Sequence, residues 1–568
     1  MKLHSLYIML CLCCLSALTS CRDDAALPDG QSNVPAKTLL VLNFTIDGKD
    51  AASRAEADDT PKHPAADWEN NTAFFHLFIR HADGTWENPI ILFAIDGNAS
   101  YEIELDQTDL EGDVIYLGAN LSTLQAATFV QQQQAKEAEE VAVTIPPYNL
   151  TGEGFNLVTD FSPYSTFEPN LGRNHIAMFC TEAGTPVKAD AASNTYTVSF
   201  DLKRMVAKVL VTCKTDDAIK GGESDIVYVP VEPATDYPDF EGWIRQEDVK
   251  YLVNGLNRKA YIMQQINEDA TEAYANVIDP NNTLSTTIAD NNFFFQQVEG
   301  EIDNGFFRST VQFDKTRLST DENYTGNPYT EGIYCPENTF AIPDAGLIVE
   351  GEQAQVTHVN VAARFTPGKL HVGTAEDLGD LKDFIANDAD VSDEIKQAVA
   401  GLNITDGVVD CPSEAVARQL LASSLEMAAN NNGFPSGTYF YHYTNKTFYT
   451  YGGMVEALGH EVSISDIETS QGRFGDFVPY LDGWGYYYTY VDNRESNYGE
   501  KLTDTKAYQY GQVERNRYYI LNITKFTRPG SSVTNPEYIQ VHTYSLSWKY
   551  GGEGDITLDP SKEVEVQQ

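Results

Sequence analysis

Basic side chains are scarce in this 568-residue chain: 38 Lys and Arg stand against 83 Asp and Glu, a formal net charge of -45. That imbalance argues against nucleic acid and against an anionic membrane surface, both of which repel such a chain. Catalytic signatures are missing too. There is no nucleophile elbow, HExxH pair, Walker-type phosphate loop or Rossmann fingerprint, and the ten histidines are scattered without metal-pair spacing. Acidic residues are so numerous that paired carboxylates arise by chance, so composition carries no glycosidase pair. Cysteine is sparse: four of eight (Cys11, Cys13, Cys14, Cys21) lie at the very N-terminus. Cys180, Cys213, Cys335 and Cys411 lack CxxC spacing, which argues against a zinc site. The expectation is a chain that is not an enzyme, with no catalytic residue, metal or cofactor.

What is present is strand composition. Tyr (32) and Phe (27) are frequent among 42% hydrophobic residues, and Gly and Asn recur as turns do in a β-protein. The length suggests two or more domains. At the start, "MKLHSLYIMLCLCCLSALTSC" has a basic residue at Lys2 and an apolar run from Leu6 to Leu18, too short and wrongly flanked to span a membrane. Thr19-Ser20-Cys21 forms a lipobox-like site, with diacylglycerol expected on Cys21 and cleavage ahead of it. An ordinary signal peptide with a chance cysteine is the alternative. Arg22, Asp23 and Asp24 follow, and acidic residues there resemble the surface-export signal of Bacteroidota lipoproteins.

The next stretch, "KTLLVLNFTIDGKDAASRAEADD", starts as a strand and ends as a loose acidic segment. Leu40, Leu42, Phe44 and Ile46 alternate with Asn43 and Thr45. Strand patterning resumes at Ala73–Trp86, with Asp83-Gly84 as a hairpin-type turn, and at Gly112–Ser122, where Ser122 is a plausible N-cap for a following helix. Tyr196–Cys213 holds two strand-like runs. Glu331–Ile342 and Thr357–Pro367 read as neighbouring strands. Helical patterns cover roughly 375–400 and 412–430, with Pro412 suited to a first turn. Mostly β with a few connecting helices, the pattern predicts two tandem β-sandwich (transthyretin-like, Greek-key) domains.

One stretch suits ligand binding. Leu481–Ser496 contains Trp484, Tyr486, Tyr487, Tyr488 and Tyr490, which could stack on sugar rings; alternate packing into a core is the structural alternative. Asp482, Asp492 and Glu495 beside it match no EF-hand spacing. His76 within an apolar strand suits a structural histidine better than a ligand.

In order, the landmarks resemble the Bacteroidales type V pilins, the fimbrillins of the major and minor fimbriae, and by length the shaft subunit of the minor type most. They are the lipobox at Cys21, an early strand ending at Arg54-Ala55, "FFHLFIRHADG", "VIYLGANLS", "LKRMVAKVLV", "YCPENTF" and "GQVERNRYYILNITKF". Each motif alone is weak; the order spans nearly the whole chain.

The resemblance implies a non-catalytic structural subunit of a cell-surface fimbria supporting adhesion and biofilm formation. It implies a lipoprotein precursor on the outer membrane, held there only by its lipid, and cleavage after Arg54 by an Arg-specific protease, with Lys49 as a competing site for a Lys-specific one. Residues 1–20 are then the signal peptide, 21–54 a lipidated propeptide with a removable strand, 55–225 and 226–536 the two domains, and 537–568 a donor segment. Loss of Leu40, Leu42, Phe44 and Ile46 opens a groove that a strand from another copy fills by β-augmentation. Tyr544, Leu546 and Trp548 alternate as such a donor; the alternative is a last strand within the chain's own fold. Head-to-tail insertion gives open filaments. The implied partners are copies of itself, accessory anchor and tip subunits, and host or bacterial surface receptors. A surface glycan-binding lipoprotein and a fimbrial tip or anchor subunit are the alternatives.

Overall fold

The first described strand, β1 (Thr38–Ile46), sits inside a sheet rather than at its edge. The computed structural model describes residues 37–46, most of 72–138, 148–149, most of 176–264, 293–294, 307–312, 332–339, most of 357–460, 477–491, 513–530, 537–538, 544–547 and 555–558. After β1 come β2 (Phe74–Arg80), β3 (Ile90–Phe93), β4 (Ser100–Leu105), β5 (Val114–Ala119), helix α1 (Thr123–Ala138), β6 (Met178–Cys180), β7 (Val187–Lys188) and β8 (Thr195–Arg204). They form one eight-stranded sheet in the order β3-β2-β5-β6-β8-β1-β4, with β7 beside β8.

This sheet curls on itself. β1 and β2 are not neighbours in it, yet the Phe44 and Phe75 rings lie 4.7 Å apart. The two strands therefore face each other across a shared interior, as closure of a twisted sheet allows. β2 is buried on both faces: Phe75, Leu77 and Ile79 occupy one, and Phe78 on the other meets Phe129 of α1 at 4.9 Å. The expected turn at Asp83-Gly84 is there, with Gly84 at φ 88° and the Asp83 carboxylate accepting from Thr85 N at 2.9 Å.

From Val206 the chain builds a second body. It supplies β9 (Val206–Cys213), β10 (Tyr228–Val229), β11 (Gly242–Asn254), β12 (Ile333–Pro336), β13 (His358–Pro367), helices α2 (Ala375–Asn387), α3 (Asp393–Ala400), α4 (Glu414–Glu426) and α5 (Tyr451–Leu458), then β14 (Trp484–Tyr490), β15 (Arg517–Phe526), β16 (Tyr544–Ser547) and β17 (Asp555–Leu558). One six-stranded sheet centres on β9 and β15, with β12 beside β9 and β16 and β17 beside β15; another centres on β11, β13 and β14. Their inward residues, among them Val209, Val211, Leu521 and Ile523 against Val249, Tyr251 and Val361, share one core. The change of core falls at the bend: Val206 packs with the first body and Ala207 with the second.

A third unit lies between β13 and β14. Lys369–His371, Ile404–Thr405, Val408–Asp410, Phe440–Thr444, Thr447–Tyr449 and Val478–Leu481 make a further six-stranded sheet, accompanied by α2 to α5. The helical pattern expected over 375–400 is broken into α2 and α3. Thr374 caps α2 in a reciprocal capping box with Asp377, and Ser392 caps α3 through Ile395 N. Pro412 lies just outside α4, because Ser413 is its N-cap, accepting from Val416 N. The fold is mainly β with a few helices, and among the described residues all of them but α1 gather in this unit.

α4 is tied down by charge. The buried Glu414 carboxylate accepts from Tyr228 Oη at 2.9 Å and Arg245 Nε at 2.8 Å, and pairs with Arg418 at 2.6 Å. Burial, then the Glu414 charge, pushes the Tyr228 phenol well above its usual range. Taking the carboxylate away would leave Arg245 with Glu247 and Arg418 with Asp248, and would leave the buried Tyr228 hydroxyl without this acceptor.

Candidate functional site

The expected removable strand is the best-defined feature of the first body. Leu40, Leu42, Phe44 and Ile46 are buried, and the residues between them are half-buried or exposed. Alternation of this kind fixes register, because a slip of one residue would turn all four outward. β1 pairs in parallel with β8, from Leu39 opposite Thr195 to Ile46 opposite Leu202. Its four apolar side chains thus lie beside Tyr196, Val198, Phe200 and Leu202, all buried. On its other side it pairs antiparallel with β4, from Thr38 opposite Leu105 to Asn43 opposite Ser100. Phe44 also stacks on Tyr101 at 5.9 Å.

Few polar anchors reinforce this. Leu39 N donates to Asn194 O at 3.0 Å, and Thr45 Oγ1 donates to the Asp201 carboxylate at 3.1 Å. The exposed Lys37–Glu104 pair at 3.1 Å contributes little. β1 is therefore held by its two ladders and four apolar side chains. β4 pairs with no described strand besides β1, so without β1 it is kept near by side-chain contacts such as Tyr101 against Phe75 at 5.5 Å. With β4 held in place, β8 and β4 would bound a slot about 9–10 Å wide, two strand spacings. The slot has an apolar floor and two rows of unpaired backbone groups.

At the C-terminal end, β16 pairs antiparallel with β15, from Arg517 opposite Ser547 to Ile520 opposite Tyr544. β17 pairs in parallel with the far half of the same strand, from Asn522 opposite Asp555 to Phe526 opposite Leu558. Tyr544 and Leu546 thus lie on a strand paired within their own chain. Cys21, Arg54, Ala55 and Trp548 lie outside the described residues, as do Ser122, Asp492 and Glu495.

The aromatic stretch divides between two faces. Tyr487 is buried in the second core and donates its hydroxyl to Arg528 O at 3.0 Å. On the opposite face Trp484 is flanked by the Arg364 guanidinium at 5.0 Å and Lys250 Nζ at 5.6 Å, and Tyr486 packs by Leu252, Phe307 and Ala362. Asp482 pairs with Arg364. The Trp484 ring is already used in cation–π contacts. Among the described residues no group of three His, Cys, Asp or Glu could hold a metal ion.

Cys180, Cys213, Cys335 and Cys411 are free thiols. Burial pushes Cys180, Cys213 and Cys411 up to about 12, and raises Cys335 further. Such thiols stay protonated and unreactive at neutral pH.

His76 is buried on β2 between Phe74 and Phe78, and its Nδ1 has no hydrogen-bond partner. It is thus structural but not satisfied, and burial lowers its pKa to about 4. Between that value and the ordinary 6.5 the unfolded chain binds a proton that the folded chain refuses. Stability is therefore lost as pH falls through this window, by about 1.4 kcal/mol per pH unit. Urea midpoints of the native chain and His76→Phe, taken between pH 7 and 4.5, should differ by a constant amount if this residue contributes nothing; a difference that shifts in favour of His76→Phe on acidification is expected.

A second polar feature was not visible in the sequence. Glu337, just after β12, and Arg515, just before β15, form a buried ion pair at 3.0 Å. Arg515 also donates to Ile262 O at 2.8 Å and Tyr261 O at 2.6 Å, and its backbone N to Glu337 at 3.1 Å. Next to it, Asn338 and Val513 exchange two backbone bonds, each 2.7 Å long. Two of the motifs singled out in the sequence, "YCPENTF" and "GQVERNRYYILNITKF", thus meet at one place.

No family model matches the chain, and no curated protein is similar to it. Solved structures are. A fimbrilin of Porphyromonas gingivalis aligns over 91% of this chain and 99% of its own, at 13% identity and a TM-score of 0.35. A candidate cell adhesion protein of Parabacteroides distasonis aligns over 93% of this chain and 99% of its own, at 9% identity and a TM-score of 0.35. The fimbrial anchor protein Mfa2 of Porphyromonas gingivalis aligns over 39% of this chain and 60% of its own, at 12% identity and a TM-score of 0.19.

Proposed function

We propose that this chain is the structural subunit of a cell-surface fimbria, exported as a lipoprotein through Cys21 and polymerised by strand exchange after cleavage at Arg54. The observation that carries the reading is β1. An N-terminal strand fills an interior position of the sheet with four buried apolar side chains, and the sequence after it leads to an arginine followed by alanine. A strand at that position is structurally required and, once cut from the body, replaceable by any strand of matching alternation.

On this reading β16, with Tyr544 and Leu546, leaves β15 and enters the β1 slot of another copy. The incoming strand takes over the two ladders that β1 leaves, so the backbone bonds lost are those of the short β15–β16 ladder, and the apolar side chains decide the direction. Net charge does not drive it: residues 1–54 hold five basic and five acidic side chains, so the cut leaves -45 in place. Repulsion between such copies is screened beyond about 8 Å at physiological ionic strength. The two cores stand for the two domains of a pilin, and anchor and tip subunits and surface receptors complete the partners.

The test is digestion of purified precursor with an Arg-specific protease. Cleavage after Arg54 followed by SDS-resistant ladders is expected, while Arg54→Ala should give none. A wild-type product that is cut at Arg54 yet stays monomeric at high concentration removes the reading.

A further inference from the structure

We infer that the continuous run Thr195–Cys213 is the tension-bearing spine of the subunit, and that Arg204, Asn516, Arg515 and Glu337 clamp its bend. The direction of load rests on the fimbrial reading; the clamp itself does not.

The spine follows from connectivity. β8 flanks the β1 slot, where an incoming strand would pull. β8 passes through Met205 alone into β9. β9 pairs in parallel with β15, from Lys208 opposite Tyr518 to Cys213 opposite Ile523. β15 in turn runs by chain connectivity into the tail that carries β16 and β17. Between slot and tail there is thus an unbroken path of one covalent run, one parallel ladder and the covalent exit from β15, which survives when β16 leaves its ladder. Tension applied at the N-terminal side of β9 and at the C-terminal end of β15 acts along the strands in opposite directions. It shears the ladder, loading its bonds together, instead of peeling them one by one.

The weak point of such a spine is the bend, where the chain leaves one core for the other. Four buried polar groups meet there, Arg204, Asn516, Arg515 and Glu337. The Arg204 guanidinium donates to Asn516 Oδ1 at 2.9 Å, and Asn516 N donates to Val206 O at 2.8 Å. These bonds tie both sides of Met205 to one residue. Met205 N donates to Ala177 O at 2.9 Å in the first body. Asn516 holds the left-handed conformation at φ 59°, which asparagine tolerates better than most residues. Beside it, Arg515 ties the start of β15 to Glu337 at the end of β12, and β12 pairs with β9 from Val206 opposite Pro336 to Val209 opposite Ile333. Arg204, Asn516, Arg515 and Glu337 are all nearly fully buried. An unpaired charge there would be costly, so the clamp either closes completely or opens cooperatively.

The test is single-molecule pulling on the full-length chain with handles at Ser199, exposed on β8, and Lys525, half-buried on β15. The native chain should rupture in one high-force event. Asn516→Gly keeps the left-handed backbone but removes the side-chain acceptor. It should add an earlier, lower-force step as β8 swings from β9. Should that variant fail to fold, Arg204→Met, which retains an apolar stem at the bend, carries the same measurement. Traces identical to the native chain in a folded variant overturn the clamp. The readout needs no polymerisation, so loss of the fimbrial reading and loss of the clamp are separately visible.

Discussion

A chain lacking residues 37–46 should lose its first core. Burying Leu40, Leu42, Phe44 and Ile46 contributes about 1.5–3 kcal/mol each, or roughly 6–12 kcal/mol together, an upper figure because unfolded chains are partly compact. Typical domains have only about 5–15 kcal/mol in total. Deletion also leaves β8 and β4 with open edges, a template for aggregation. The expected result is loss of protected amides in β2, β5 and β8 by hydrogen exchange, with those of β11 and β13 retained. A synthetic peptide spanning 37–46 should restore protection in trans. Native-like exchange in the deleted chain without peptide would mean that β1 is dispensable. Phe44→Ala alone should cost about 3–5 kcal/mol, since its ring touches both Phe75 and Tyr101. These magnitudes also bear on the proposed cleavage: a nick after Arg54 breaks one covalent bond but leaves β1 held by the same contacts. Release then requires a competing strand.

Arg515→Met should be the most damaging single change in the second body. It removes the cation from a pair whose side chains are 2% and 5% exposed and takes away the hydrogen bonds it donates to the Tyr261 and Ile262 carbonyls. Breaking a buried pair from one side costs about 3–5 kcal/mol. At about 2–4 °C for each kcal/mol in a body of this size, the thermal midpoint should fall by several degrees at least. Combining Arg515→Met with Glu337→Leu should recover much of the loss, because the stranded carboxylate is removed as well. Calorimetry on the three variants separates the cases: a double variant as unstable as the sum of the singles would show that the two residues act independently.

Local patterns carried far in the sequence. The alternation of Leu40, Leu42, Phe44 and Ile46 is the burial pattern of β1, and "LKRMVAKVLV" contains the bend between β8 and β9. The expected helix over 375–400 is broken into α2 and α3, and the one over 412–430 is shortened to Glu414–Glu426, since capping is decided by a single serine or threonine. What stayed hidden depends on partners far away in the chain. Glu337 and Arg515 are 178 residues apart, and no period reveals their pairing. The sheet between β13 and β14 is made of strands two to five residues long, too short to show alternation, so its helices read as mere connections. The tyrosines of β14 were ambiguous because a two-sided aromatic strand and a binding face share one composition; only the neighbours on each face separate them.

The unit carried between β13 and β14 enters and leaves the body at one point. Arg364 and Trp484 face each other across a single strand spacing, although among the described residues the chain travels through four helices and a whole sheet between them. To the rest of the molecule, that excursion is topologically a hairpin loop. It can be lengthened, shortened or exchanged over evolutionary time without rethreading any other strand. What ties it to the rest is the apolar face it shares with the second core, where Phe448 meets Phe240 and Phe365, together with the Glu414 carboxylate that Arg245 and Tyr228 grip.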